Sequence, residues 1–141
     1  IILNPAPAQE LPDELLQLLF LITPNETEAE LLTGIKVEDI STASKAAGIL
    51  LSKGVQQVII TMGAKGAFFK DKNQEFLVPS PLVKPIDTTA AGDVFNGVLA
   101  AFLPGNPSIK NAISLACNAA AISVTRLGAQ VSMPYIHELK E

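Results

Sequence analysis

Two hydrophobic periods alternate along this chain. Residues 1–4, 20–23 and 55–62 are short, dense runs of Ile, Val and Leu, the composition of strands buried on both faces. Between them, Leu11, Leu15, Leu16, Leu18 and Leu19 form a helical stripe with Pro12 and Asp13 in its first turn. Asn25 followed by Glu28 is a capping-box pattern, and Gly34 closes the helix it opens. Ser41 is expected to open a helix that ends at Lys53 and Gly54. Residues 67–70 and 75–78 flank a polar turn and read as a β-hairpin. Residues 82–86 read as one more short strand, feeding an apolar helix over 91–103 that Pro104, Gly105, Asn106 and Pro107 stop. Ser108 caps a long helix to about Arg126, whose alanines at 112, 116, 119, 120 and 121 suit close burial, and Pro134 starts a short last helix. Strand and helix alternating in this way predict an α/β fold: a mostly parallel sheet flanked by helices, with a β-hairpin.

Composition narrows the function. At 141 residues and 48% hydrophobic, one domain with a full core is affordable. A net charge of −4 with 17% charged residues lacks the clustered Lys and Arg that nucleic acid or an anionic membrane requires. No apolar run approaches the roughly 18 residues of a membrane span. The single Cys excludes an internal disulfide and a cysteine-cluster metal site. A cytoplasmic protein with no nucleic-acid or membrane partner is expected. The chain opens inside an apolar stretch without an initiator Met, which reads as a piece of a longer protein.

The densest chemistry lies at Asp87, Thr88, Thr89, Ala90, Ala91, Gly92 and Asp93, just before an apolar helix. The first N–H groups of a helix lack internal partners and carry the positive end of its dipole, so an anion such as phosphate fits there. Small residues at 90–92 let a ligand approach the backbone. Asp93 in the first turn is favoured as a carboxylate by the same dipole. If position 90 needs positive φ, its Ala is strained.

This run resembles the second signature of the ribokinase-like (PfkB) carbohydrate kinases, Asp-Thr-x-Gly-Ala-Gly-Asp, with Ala90 where many members have Gly. The resemblance implies an anion hole at Ala91 and Gly92, and Asp93 as the catalytic base that meets the sugar hydroxyl. Asn25 and Glu28 are similar to the family's Asn-x-x-Glu motif, which implies contact with nucleotide phosphates and ordering of water around Mg²⁺. Capping alone also explains both residues. Thr61, Met62, Gly63, Ala64, Lys65 and Gly66 match the family's nucleotide loop, although a Gly-x-x-Gly turn alone is equally a strand connection. ATP contacts are thereby implied for Asn25, residues 61–66, Gly92, Asp93 and, on the adenine side, Cys117, where relatives carry His or Asn. A K⁺ site is implied at Asp87, Thr89, Ser123, Arg126, Gly128 and Ser132, mostly through carbonyls. A plain helix C-cap accounts for Arg126 and Gly128 as well.

Resemblance extends over the whole chain and implies the C-terminal, nucleotide-binding part of the fold. The expected reaction is ATP-dependent phosphorylation of D-ribose, with Mg²⁺ and K⁺ and a homodimeric parent protein. The sugar-binding part and its lid are not found in these residues, so the chain alone is expected to be inactive. Another kinase of the family, or a non-catalytic nucleotide-binding fragment, stays open.

Overall fold

The computed structural model describes residues 1–105 and 108–139. Asn106 and Pro107, expected to help stop a helix, lie outside them. The chain divides into two units, Ile1–Gly63 with Ala67–Leu77, and Ala64–Gly66 with Val78–Glu141.

The first unit is built on a five-stranded sheet in sequential order, β1 (Ile2–Leu3), β2 (Leu21–Ile22), β3 (Gln57–Thr61), β4 (Ala67–Lys70) and β5 (Glu75–Val78). β1, β2 and β3 run parallel, with Ile2 opposite Leu21 and Ile22 opposite Val58. β4 returns antiparallel to β3, pairing Ile60 with Phe68. The hairpin expected at residues 67–78 is present, and its turn closes through Asp71 N–H to Gln74 C=O at 3.0 Å. Helices α1 (Asp13–Leu16), α2 (Glu26–Thr33) and α3 (Ile40–Ser52) fill the crossovers. Ile22, Val58, Ile60 and Phe68 meet Ala43, Ala46, Ala47 and Leu50 of α3 in one core cluster. Leu21, Ile59 and Phe69 alternate with them and are equally buried, so these strands hide both faces. Ser44 of α3 ties to the hairpin, donating to Glu75 Oε2 at 2.7 Å while Lys70 Nζ donates to both.

Several boundaries differ from the sequence pattern. The stripe over 11–19 yields only the four residues of α1, because Pro12 is its N-cap and Leu18 turns outward. α3 starts one residue earlier than Ser41 implied. Asp39 is its cap, taking the Thr42 N–H at 2.8 Å, and the Thr42 hydroxyl takes the Asp39 N–H in return. Ile1 and Ile2, expected to be buried, are exposed on an edge strand.

In the second unit, α4 (Ala91–Phe102) and α5 (Ile109–Ser123) pack against each other. α4 buries Val94, Phe95 and Leu99, and α5 buries Ala112, Ile113, Ala116, Cys117, Ala119 and Ala121. Burying one such large side chain contributes roughly 1.5–3 kcal/mol. Ser108 caps α5, accepting the Asn111 N–H, but the helix stops at Ser123 and not near Arg126. Residues 82–86 form no strand. Pro79, Pro81 and Pro85 remove the donors a ladder needs, and Leu82 is 95% exposed. After Pro134 only a three-residue 3-10 turn forms, Ile136–Glu138, where the Tyr135 N–H donates to Glu138.

Candidate active site

Two groups of the expected residues gather, one in each unit. In the first unit the loops after β2 and β3 lie side by side at the carboxyl ends of parallel strands, where open α/β sheets bind ligands. The Thr61 N–H donates to Pro24 C=O at 2.9 Å, and Asn25 and Thr61 form an isolated parallel bridge. Asn25 caps α2 through Oδ1, which accepts the Glu28 N–H at 2.8 Å. Glu28 Oε2 accepts the Asn25 N–H at 2.8 Å. Glu28 is only 7% exposed, so one carboxylate oxygen is spent on this box. The capping role expected of this pair is fulfilled.

Beyond Thr61 the chain enters the 3-10 turn Gly63–Lys65. Met62 is 2% exposed and its side chain belongs to the core. Gly66 has φ +107°, and a Cβ there would stand 2.0 Å from the Val78 carbonyl oxygen. The glycine is thus required by the close approach of its own chain. Ala64 and Lys65 are exposed.

In the second unit the start of α4 has an unusual form. Its N-cap is Ala90, at φ +61° and ψ +12°, with no side-chain cap. The left-handed region costs a non-glycine residue roughly 1–2 kcal/mol. The Ala91 N–H leans back on Thr88 C=O at 3.3 Å, long for such a bond. The N–H groups of Gly92 and Asp93 have no protein acceptor among the described residues. The bare donors therefore lie at Gly92 and Asp93, one residue later than the pair expected at Ala91 and Gly92. A Cβ at Gly92 would meet nothing within 4 Å. Asp93 is exposed and points into no hydrocarbon.

Asp87 organises the loop before this helix. Its Oδ1 accepts the Thr89 N–H and its Oδ2 the Gly128 N–H, each at 2.9 Å. Thr89, by side chain and then backbone, and the Gly128 N–H hold the Asp87 carboxyl below its ordinary value. Ile86 and Asp87 N–H groups both donate to Val124 C=O, at 2.7 and 3.1 Å. Of the residues expected around K⁺, Asp87, Thr89 and Gly128 are joined directly. Ser132 is fully buried, its hydroxyl donating to Ala129 C=O at 2.7 Å, and the Ser123 hydroxyl donates to Ala120 C=O at 2.8 Å. The Arg126 guanidinium pairs with Glu138. Cys117 is 4% exposed, and burial pushes its thiol up to about 11. That places it as packing between helices, away from solvent. Among the described residues no three His, Cys, Asp or Glu side chains gather into a metal-binding cluster. A divalent ion here would be held mainly by phosphate and water, the usual habit of Mg²⁺.

The family model for pfkB carbohydrate kinases matches residues 1–136. The chain belongs to the pfkB carbohydrate kinase family. It is 51% identical, over all of its length, to the ribokinase of Haemophilus influenzae, and spans 46% of that protein. The crystal structure of Thermotoga maritima ribokinase superposes on it with a TM-score of 0.90 at 44% identity, covering 98% of this chain and 46% of that one. The Arabidopsis thaliana ribokinase complexed with ribose and ATP superposes with a TM-score of 0.92 at 30% identity, covering 98% of this chain and 45% of that one. The chain thus spans a little under half the length of these pfkB relatives, and the mixed sheet with flanking helices is their fold.

One residue of interest escaped the sequence reading. The Asn96 side chain turns back onto the first turn of α4, where Nδ2 donates to Gly92 C=O at 2.8 Å. Its only signal in the sequence is a polar amide inside an apolar helix, four residues after Gly92.

Proposed function

We propose that the chain is the nucleotide-binding, catalytic part of a ribokinase, which transfers the γ-phosphoryl group of ATP to D-ribose and releases ADP and D-ribose 5-phosphate. The observation that carries this reading is the start of α4: two N–H groups without a protein acceptor among the described residues, beside an exposed carboxylate. Phosphoryl transfer needs positioning and charge neutralisation more than covalent help from the protein. The Gly92 and Asp93 N–H groups, with Ala91, would cradle the equatorial oxygens of the phosphoryl group. Asp93 would accept a hydrogen bond from the sugar hydroxyl and take its proton as the oxygen attacks phosphorus and the bond to ADP breaks. Asn25, Thr61 and the 63–66 turn would contact the nucleotide, and Cys117 could contribute only at the margin of the adenine. Mg²⁺, when bound with ATP, supplies charge neutralisation across the phosphates. Asn25 and the remaining carboxylate oxygen of Glu28 would order its water shell. K⁺ would sit against the loop that Asp87 closes with Thr89 and Gly128, together with backbone of Ser123, Arg126 and Ser132.

In this reading the sugar is gripped by a separate N-terminal part with a lid, through which the parent protein is a homodimer. The test is ADP release by the full-length protein with D-ribose, fructose and a nucleoside as acceptors. Ribose is expected to be turned over fastest. A clear preference for another acceptor would move the protein to a different kinase of the family. Residues 1–141 alone are expected to give no ribose-dependent turnover, and measurable turnover would overturn that division of labour. Titration of the chain with Mg·ATP, with and without K⁺, separates a kinase part from a purely structural α/β piece, which would show no saturable binding.

A further inference from the structure

The Gly92 carbonyl, which accepts the Asn96 Nδ2–H at 2.8 Å, belongs to the same peptide unit as the Asp93 N–H. A carbonyl oxygen can only accept, so the amide nitrogen of Asn96 must face it. The peptide is planar, so fixing the direction of its C=O fixes the direction of its N–H. A donor placed on the oxygen also draws charge toward it and makes the N–H a better donor, as along any hydrogen-bond chain. That N–H is one of the two at the start of α4 that no protein group accepts among the described residues. Helix propensity does not favour this side chain. Asn is a poor residue for a helix interior, and here it precedes Gly97 in the middle of a 12-residue helix.

We propose that Asn96 is a positioning residue for phosphoryl transfer: it locks and polarises the Gly92–Asp93 peptide so that the Asp93 N–H stays aimed at the transferred group. This rests on the kinase reading of the same helix start and adds a residue to it. The effect is transmitted through one peptide, without contact between Asn96 and the substrate. Loss of the donor therefore weakens the transition state more than the binding of either substrate.

Two substitutions in the full-length protein test it. Asn96→Ala removes the donor and installs the best helix former. Asn96→Ser returns a donor, because a serine hydroxyl bonds back to the carbonyl four residues earlier. In Asn96→Ala, kcat with saturating ATP and ribose is expected to fall about three- to tenfold, the worth of one neutral hydrogen bond. Both KM values should stay within about twofold on the same argument, Tm should hold or rise, and Asn96→Ser should recover most of the loss. An unchanged kcat in Asn96→Ala, a fall in Tm that accompanies no change in kcat, or no recovery in Asn96→Ser overturns the proposal. A second readout needs no turnover: inorganic phosphate is titrated into ¹⁵N-labelled protein. The Asp93 amide resonance should move with phosphate in the wild type, and the phosphate Kd should rise about three- to tenfold in Asn96→Ala. An Asp93 amide that ignores phosphate, or an unchanged Kd, also overturns it. If the wild type phosphorylates no acceptor, the kinase reading fails and the role in phosphoryl transfer with it, while the phosphate titration still decides whether Asn96 aims the Asp93 N–H at an anion. If the wild type is active and the variants match it, only the role of Asn96 fails.

Discussion

The starts of α2 and α4 answer the same problem in opposite ways. Each follows the first unsatisfied N–H groups of a helix, and each carries an acid in its first turn. At α2, Asn25 and Glu28 bond reciprocally, and the end is closed by its own side chains. At α4 the N-cap is an alanine in the left-handed region, with nothing to offer as an acceptor. Among the described residues the Gly92 and Asp93 N–H groups meet no acceptor, and Asp93 is exposed instead of folding back to cap. α3 and α5 side with α2, capped by Asp39 and Ser108. Three of the five helices, α2, α3 and α5, are closed by side-chain caps, whereas α4, like the four-residue α1, is not. The first kind of terminus stabilises the fold. The second gives up that stability and, in the proposed reading, leaves its donors for an anion.

This contrast can be broken by substitution. The largest expected effect is chemical: Asp93→Asn in the full-length protein should lower kcat by roughly 10²–10⁴-fold, the weight of a general base, with Tm nearly unchanged. An unaltered kcat would remove Asp93 from that role. At the closed terminus the effect should be on stability. Asn25→Ala should cost about 1 kcal/mol, measured by denaturant unfolding, because the Glu28 N–H loses its acceptor. Gly92→Ala should invert the pattern. Its Cβ meets open space, so stability should rise by about 0.5–1 kcal/mol from helix propensity while phosphate affinity falls. If phosphate binds as tightly to that variant, the backbone of Gly92 is not the docking surface. Ala90→Gly should relieve the left-handed strain, a gain of about 0.5–1 kcal/mol after the added freedom of the unfolded chain.

The smallest effect is electrostatic and belongs to the loop ahead of α4. Thr89 and the Gly128 N–H hold the Asp87 carboxyl below its ordinary 3.8. A carboxyl depressed in the folded state stabilises above its unfolded value, and that contribution is lost as pH falls through the lower folded value. The difference in Tm between wild type and Asp87→Asn should therefore be complete above about pH 4 and close only in stronger acid. A gap independent of pH would mean that Asp87 acts there by shape alone.

Much of this was legible in the sequence, for reasons that differ by element. The Asn25–Glu28 box and the hairpin over 67–78 depend on residues a few positions apart, and local chemistry fixed them. The pfkB signature likewise sits in consecutive residues, so Asp93 and its small neighbours stood out before any fold was known. What failed was longer in reach. Residues 82–86 are apolar enough for a strand, but the prolines around them leave no ladder to join. The stripe over 11–19 is periodic, yet only four residues of it stay helical before the chain turns into β2.

By itself, then, the sequence determined which helices would be capped, that strands and helices would alternate, and which acid is a candidate base. The tertiary structure decided what those groups face. It tied Asp87 to Gly128 across 41 residues, set Asn25 beside Thr61, put Cys117 in the core and turned Asn96 onto the Gly92 carbonyl. It also left the two amides of α4 open. Periodicity and capping are short-range and readable from neighbours. Direction, burial and an unfilled hydrogen bond depend on which distant segments arrive, and no local pattern records that.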